Sequence, residues 1–138
     1  MGRDNYYNGF GGIVAGESNI QYDVADCASI LGGSFNHITR PFGVVIGGTQ
    51  NGISSNGHHG VILGGEFNRV ESPLGIIVGG KQNLAYGTDS RCGVVVGGEQ
   101  NSTEGSCSVL SGGLLKSTSE TWEWRAGELI ELEPAAQQ

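Results

Sequence analysis

A nine-residue phrase is written into this chain again and again. It reads GVVIGGTQN at 43–51, GVILGGEFN at 60–68, GIIVGGKQN at 75–83 and GVVVGGEQN at 93–101, with looser copies beginning at 11 (GGIVAGESN), 28 (ASILGGSFN) and 108 (SVLSGGLLK). Seven units therefore align on the double glycine, the first with Ala15 in place of the leading glycine and the last with Lys116 in place of the asparagine. Self-similarity at a fixed period marks a stacked repeat, in which each unit is too small to bury its apolar residues alone and does so against its neighbours.

Each unit holds an apolar triplet whose middle member (Ile13, Ile30, Val45, Ile62, Ile77, Val95, Leu110) is aliphatic throughout. β-Branched runs of this kind suit a strand, and since side chains alternate across a strand, three apolar neighbours in a row predict that both faces are covered. The two glycines permit positive φ, and the asparagine that follows is the other residue type that visits such conformations easily, so the phrase ends in a tight corner. Just past the asparagine, Ile38, Ile53, Val70 and Ala85 form a second apolar column, suited to a short return strand with one side chain inward. The fold class that follows is all-β: a parallel β-solenoid, or β-roll, of about seven short turns, stacked about 4.8 Å apart.

Corners recur 17, 15, 17, 15, 18 and 15 residues apart, and turns of that size enclose little. One chain alone is expected to leave an aliphatic stripe in water, and such a stripe marks an interface that closed cyclic symmetry satisfies. The expectation is an intertwined or side-by-side homotrimer, with Val45, Ile62, Ile77, Val95 and Leu110 at the interface. A second architecture stays open, because long and short turns alternate and ILGGSFNHITRPFG from 30 pairs with ILGGEFNRVESPLG from 62. It is a flat single-chain solenoid with 32 residues per turn and two apolar walls facing each other.

The phrases SVLSGG, ASILGGSFN and GVVIGGTQN resemble the short repeats of trimeric β-roll heads in YadA-like autotransporter adhesins. They are also similar to the SxxSGGxxN repeats of phage tail fibres and related bacterial surface proteins. The resemblance covers about residues 9–119 and implies architecture, a trimeric projecting rod, rather than a chemistry.

Composition narrows the partners. With a net charge of −7 and 15% charged residues the chain lacks the basic stripe of a nucleic-acid binder. MGRDNYYNGF has no apolar signal-peptide core and no apolar run approaches a bilayer span, so neither export signal nor membrane anchor is expected. No G-x-S-x-G, G-x-x-x-x-G-K-[ST] or G-G-x-G-x-D pattern occurs, no cofactor is implied, and the scattered acids leave only an unsupported carboxylate pair for glycan cleavage. A regular Thr-x-Thr face for ice is missing too.

Three columns of the repeat draw attention. Asn19, Asn36, Asn51, Asn68, Asn83 and Asn101 are placed to stack as a corner ladder of amides that satisfy backbone groups. Cys27, Cys92 and Cys107 fall just before a new unit, in a column shared with Phe42, His59 and Leu74, and read as small buried hydrophobes. Cys92 and Cys107 lie in successive turns, close enough for a disulfide. His58 and His59 are an ordinary loop pair or, brought together on a three-fold axis, a metal or anion site; His37 stands alone.

The reading divides the chain into an N-terminal attachment or cap segment (1–10, with Tyr6, Tyr7 and Phe10), repeats (11–116), and a C-terminal cap and tail (117–138). In the cap, Trp122 and Trp124 share one side of a strand, Ala126-Gly127 turns, and Leu129, Ile130 and Leu132 pair back before Pro134 opens the tail. The expected function is a non-enzymatic structural protein of a phage virion, as a trimeric fibre, spike or capsid decoration that aids attachment to a host surface. Its partners are further copies of itself, the virion and a host glycan, with no nucleic acid and no membrane. The alternatives are a bacterial surface adhesin head binding glycan or matrix, and a glycan-cleaving spike.

Overall fold

The computed structural model describes residues 2–54, 56–87 and 92–127, and the fold is an all-β parallel solenoid of about eight turns. Each turn has three sides. The aliphatic wall is an eight-stranded sheet running from Ile13–Val14 through Ser29–Ile30, Val44–Val45, Val61–Ile62, Ile76–Ile77, Val94–Val95 and Val109–Ser111 to Trp124–Ala126. The return wall, also eight-stranded, runs from Tyr6–Tyr7 through Ile20–Gln21, His37–Ile38, Gly52–Ile53, Arg69–Val70, Leu84–Ala85 and Ser102–Thr103 to Ser117–Thr118. Between them stands a bridge wall only one residue wide, the ladder Glu17–Ser34–Thr49–Glu66–Lys81–Glu99–Leu114.

The register puts one repeat per rung, Ile30 beside Val45, Val45 beside Ile62 and Ile62 beside Ile77. The successive offsets are thus 15, 17 and 15 residues, and the 32-residue turn is excluded because each short turn already closes on itself. The long turns take their extra residues at the corner between the return and aliphatic walls: the step from Ile53 to Val61 is two residues longer than that from Ile38 to Val44.

Three side chains per turn fill the interior. In one rung these are Val45, Asn51 and Ile53, all completely buried by the chain itself. The cross-section is so narrow that Gly43, which opens the phrase, has no room for a Cβ: the added atom would meet Ile38 and Ile53 side chains. A polar group here must be fully paired. Asn51 Nδ2 donates to the carbonyl oxygens of Gly47 in its own turn (3.1 Å) and Gly65 in the next (2.9 Å), while its Oδ1 accepts from Asn68 N (3.0 Å). The same set repeats at Asn36, Asn68, Asn83 and Asn101. The ladder begins earlier than the repeat does, at Asn5, whose Oδ1 accepts from Asn19 N (2.9 Å), and it ends on the backbone N–H of Lys116 (2.9 Å).

Several sequence expectations are corrected by this geometry. The interface expected at the triplet's middle member is not there: that member points into the chain's own core, so Val45, Ile62, Ile77, Val95 and Leu110 are interior residues, each fully buried without a second copy. The first unit is one residue short, so Val14 rather than Ile13 pairs with Ile30 and faces inward, while Ile13 faces solvent. Positive φ falls on the residue before the asparagine, not on it: Ser18, Phe35, Gln50, Phe67, Gln82 and Gln100 all lie between 52° and 56°. The column holding Cys27, Phe42, His59, Leu74, Cys92 and Cys107 is a second left-handed corner, φ 52° to 65°, with side chains outside the core. None of the cysteines is in a disulfide.

At the ends, Gly2–Arg3 pairs with Gly16–Glu17 and Tyr6–Tyr7 with Ile20–Gln21, so the first ten residues extend the ladders. Trp124–Ala126 adds a parallel rung to Val109–Ser111, making TWEWRAG an eighth, diverged copy of the phrase. The expected return arm at Leu129, Ile130 and Leu132, and Pro134, lie outside the described residues.

Three substitutions check this reading of the corner. Replacing Asn68 by Ala strands the Gly64 carbonyl and the Asn83 N–H, while the Gly80 carbonyl keeps the Glu66 N–H, and urea unfolding is expected to show a loss of about 2–4 kcal/mol. Gly48 has φ +84° and an added Cβ would strike the Gly65 carbonyl, so Gly48→Ala is expected to cost above about 2 kcal/mol. Gly47, its neighbour, has open space and no left-handed φ, and Gly47→Ala is expected to stay within about 1 kcal/mol of the parent.

Candidate functional site

With one triplet position turned inward, the other two are forced out. Val44 and its equivalents (Val61, Ile76, Val94, Val109) are half-buried on the outer face of the aliphatic wall, and Ile46 and its equivalents (Leu31, Leu63, Val78, Val96) stand 41–48% exposed beside them. The left-handed corner column borders this face on one side, with Phe42 and Leu74 about half exposed. On the other side the face ends in the leading glycines of each pair. Trp122 and Trp124, expected in a cap, occupy the corner and outward columns of the eighth rung, where both are largely exposed.

Among the described residues from Ser29 to Ser111, the outward side chains of this wall and of the left-handed corner column include no Asp, Glu, Lys or Arg. The charges sit elsewhere. Glu17, Glu66, Lys81 and Glu99 are in the bridge wall, and Arg69 and Glu71 pair on the return wall. On the last rung, Arg125 pairs with Glu123 at 2.6 Å, and Glu123 also accepts from the backbone N–H groups of Ser119 and Glu120. Those backbone donors, then the guanidinium, hold its carboxyl below the ordinary value. The segregation follows from the repeat: a residue type fixed at one position of the phrase becomes a stripe on one side of the rod.

The histidines do not converge into a ligand set. His59 stacks on Phe42 one rung away, with centroids 4.7 Å apart and planes 12° from parallel, and His58 meets the His59 ring edge-on at 5.5 Å. No group of three or more His, Cys, Asp or Glu side chains gathers among the described residues. His37 lies on the return wall, where its ring leans over Gly52, leaving no space for a Cβ there. Burial first, and the Arg69 guanidinium second, hold its imidazole below the ordinary 6.5. Sequence reasoning singled out neither the His37 environment nor the outward aliphatic columns. The signal for the columns was present in the phrase, since Val44 and Ile46 flank the inward Val45 at spacing two.

No helix among the described residues is long and apolar enough to cross a membrane. Comparison with protein-family models, with curated proteins and with solved structures finds no match.

A pH series tests the His37 environment. The folded protein keeps this ring neutral, whereas the unfolded chain takes up a proton near the ordinary value of 6.5. Its contribution to stability is therefore full above that pH and lost as pH falls through the folded value. The urea midpoint of the parent is expected to drop further between pH 7.5 and pH 5 than that of His37→Gln; equal drops would show that the ring has no such role.

Proposed function

We propose that this chain is a non-enzymatic structural rod whose work is to assemble: a fibre, spike or capsid decoration of a phage virion, built from identical chains side by side. The observation that carries the reading is the aliphatic face, uncharged among the described residues, that runs up one side of the rod. An apolar surface of this extent marks an association site, and a rung ladder held by buried amides suits a stiff projecting part. The repeats' resemblance to phage tail-fibre sequences, SVLSGG and GVVIGGTQN above all, directs the reading to the virion.

A surface adhesin head is the second reading, favoured by Tyr22 and Tyr86, which stand exposed along the far edge of the return wall where a glycan ring stacks readily. Particles purified from the source of this sequence separate the two. The virion reading expects the chain in stoichiometric amount within the particles, decorated by antibody at a projecting feature. Finding it only on the bacterial surface, together with binding on a glycan array that Tyr22→Ala and Tyr86→Ala abolish, would replace that reading with the adhesin.

A further inference from the structure

Most glycines of the phrase are explained inside one chain. Gly43 lies against the core side chains Ile38 and Ile53, and Gly48 adopts a left-handed φ with the next rung's carbonyl where its Cβ would be. The leading glycine of the three middle pairs is different, whereas at Gly97 and Gly112 a positive φ accounts for the glycine. At Gly47, Gly64 and Gly79 the φ is outside the left-handed region and nothing lies within 4 Å of an added Cβ. Nothing in the monomer demands glycine there, and Ala costs a helix or strand less than Gly does. A glycine stripe facing open space, beside an exposed aliphatic ridge, is what a surface needs when other atoms must approach its backbone closely.

We infer that the atoms filling that space belong to a second copy, and that two chains pack face to face along their aliphatic walls with rods parallel. This rests on the assembly reading above and gives it a stoichiometry. A second copy fits for three reasons. Its ridges have the same pitch of about 4.8 Å, so rung meets rung along the full length, as in a sheet-on-sheet interface. The described residues of the meeting surface carry no charge, so two chains of net charge −7 approach there with little repulsion. Area then sets the number of copies. The face spans four residue steps by seven rungs, roughly 13 by 34 Å. A flat partner buries all of those roughly 450 Å² on each chain, close to the total of about 1,000 Å² that a specific interface needs, whereas a three-membered ring would split them between two junctions and leave each at about half that.

A two-fold axis along the rod also sets opposite edges of the face against each other. The bulky corner column of one chain, Phe42, His59 and Leu74, comes over the glycine stripe of the other, Gly47, Gly64 and Gly79. Antiparallel rods would instead place glycine on glycine and leave a gap.

Sedimentation equilibrium and native mass spectrometry of the full chain test the pairing. The expected mass is twice that of the 14.3 kDa chain. Gly64→Leu with Gly79→Leu, which meet no intrachain atom, are expected to give a monomer with unchanged β circular dichroism; Ile46→Glu with Val78→Glu provide an independent route to the same result. A monomeric parent, a trimeric parent, or glycine variants that remain dimers would each overturn the pair. In a background with Cys27, Cys92 and Cys107 replaced by Ser, mixed His59→Cys and Gly64→Cys chains are expected to cross-link on oxidation, and failure to do so would overturn the parallel arrangement. A trimer leaves the virion reading standing, while a dimer missing from purified particles removes that reading and keeps the pair.

Discussion

The buried asparagine amide is the interaction the rest of the fold depends on. A turn this small has three inward positions, and the bend from the aliphatic wall through the bridge wall to the return wall turns two carbonyls and an N–H toward the core. Asn51 answers all three with one side chain, binding its own turn and the next. Aspartate would lack the donors, and an aliphatic residue would strand the backbone at a cost of about 1–3 kcal/mol for each group. Since every Oδ1 accepts from the next asparagine's N–H, the amides also fix the rung register. Slipping a turn by one residue would break several of these bonds together.

That dependence explains the alternation of turn length. The asparagine corner and both walls have a fixed geometry, so insertions are admitted only at the remaining corner, where the long turns place their extra residues without disturbing any ladder. The aliphatic column Ile38, Ile53, Val70, Ala85 shrinks along the rod and gives way to Thr103 and Thr118, all fully buried. Where it has become threonine, Ser108 stands in the opening position of the phrase, and its hydroxyl lies 2.8 Å from that of Thr118. The interior is thus repacked rung by rung around an unchanging amide.

The solenoid, its parallel pairing and the inward column of the return strand were legible because every rung imposes the same demands on the same position, so chemistry becomes period. What the period did not disclose is direction. A run such as VVI in Val44, Val45 and Ile46 reads identically whether two copies or one enclose it, and only the closed turn shows that Val45 is the inward member. The left-handed corners were misplaced for a related reason. Their residues, among them Phe35, Phe42, Gln50 and Leu74, are of types that ordinarily avoid positive φ. The ladder bonds on either side over-determine the backbone there, and residue identity carries no trace of it. The shortened first unit was hidden because Gly11 and Gly12 mimic the start of the phrase, while strand pairing sets Ile13 beside Ser29.

A repeat also separates two kinds of constraint. Positions held constant for intrachain reasons reveal themselves in one chain's coordinates: the asparagine by its bonds, Gly48 by its φ and the carbonyl above it, Val45 by complete burial. When these are set aside, the recurring features left without an internal cause are the outward aliphatics at Ile46 and its equivalents and the unconstrained glycines beside them. Both lie on the same side of the rod, and both are what a closely apposed neighbour requires, one as apolar surface to bury and the other as room to approach. A solvent-facing wall with no such neighbour gains nothing from keeping either, since polar side chains there raise solubility and residues with a Cβ lower the entropy of the unfolded chain. The part of the repeat that one chain does not explain is therefore the part that faces another molecule.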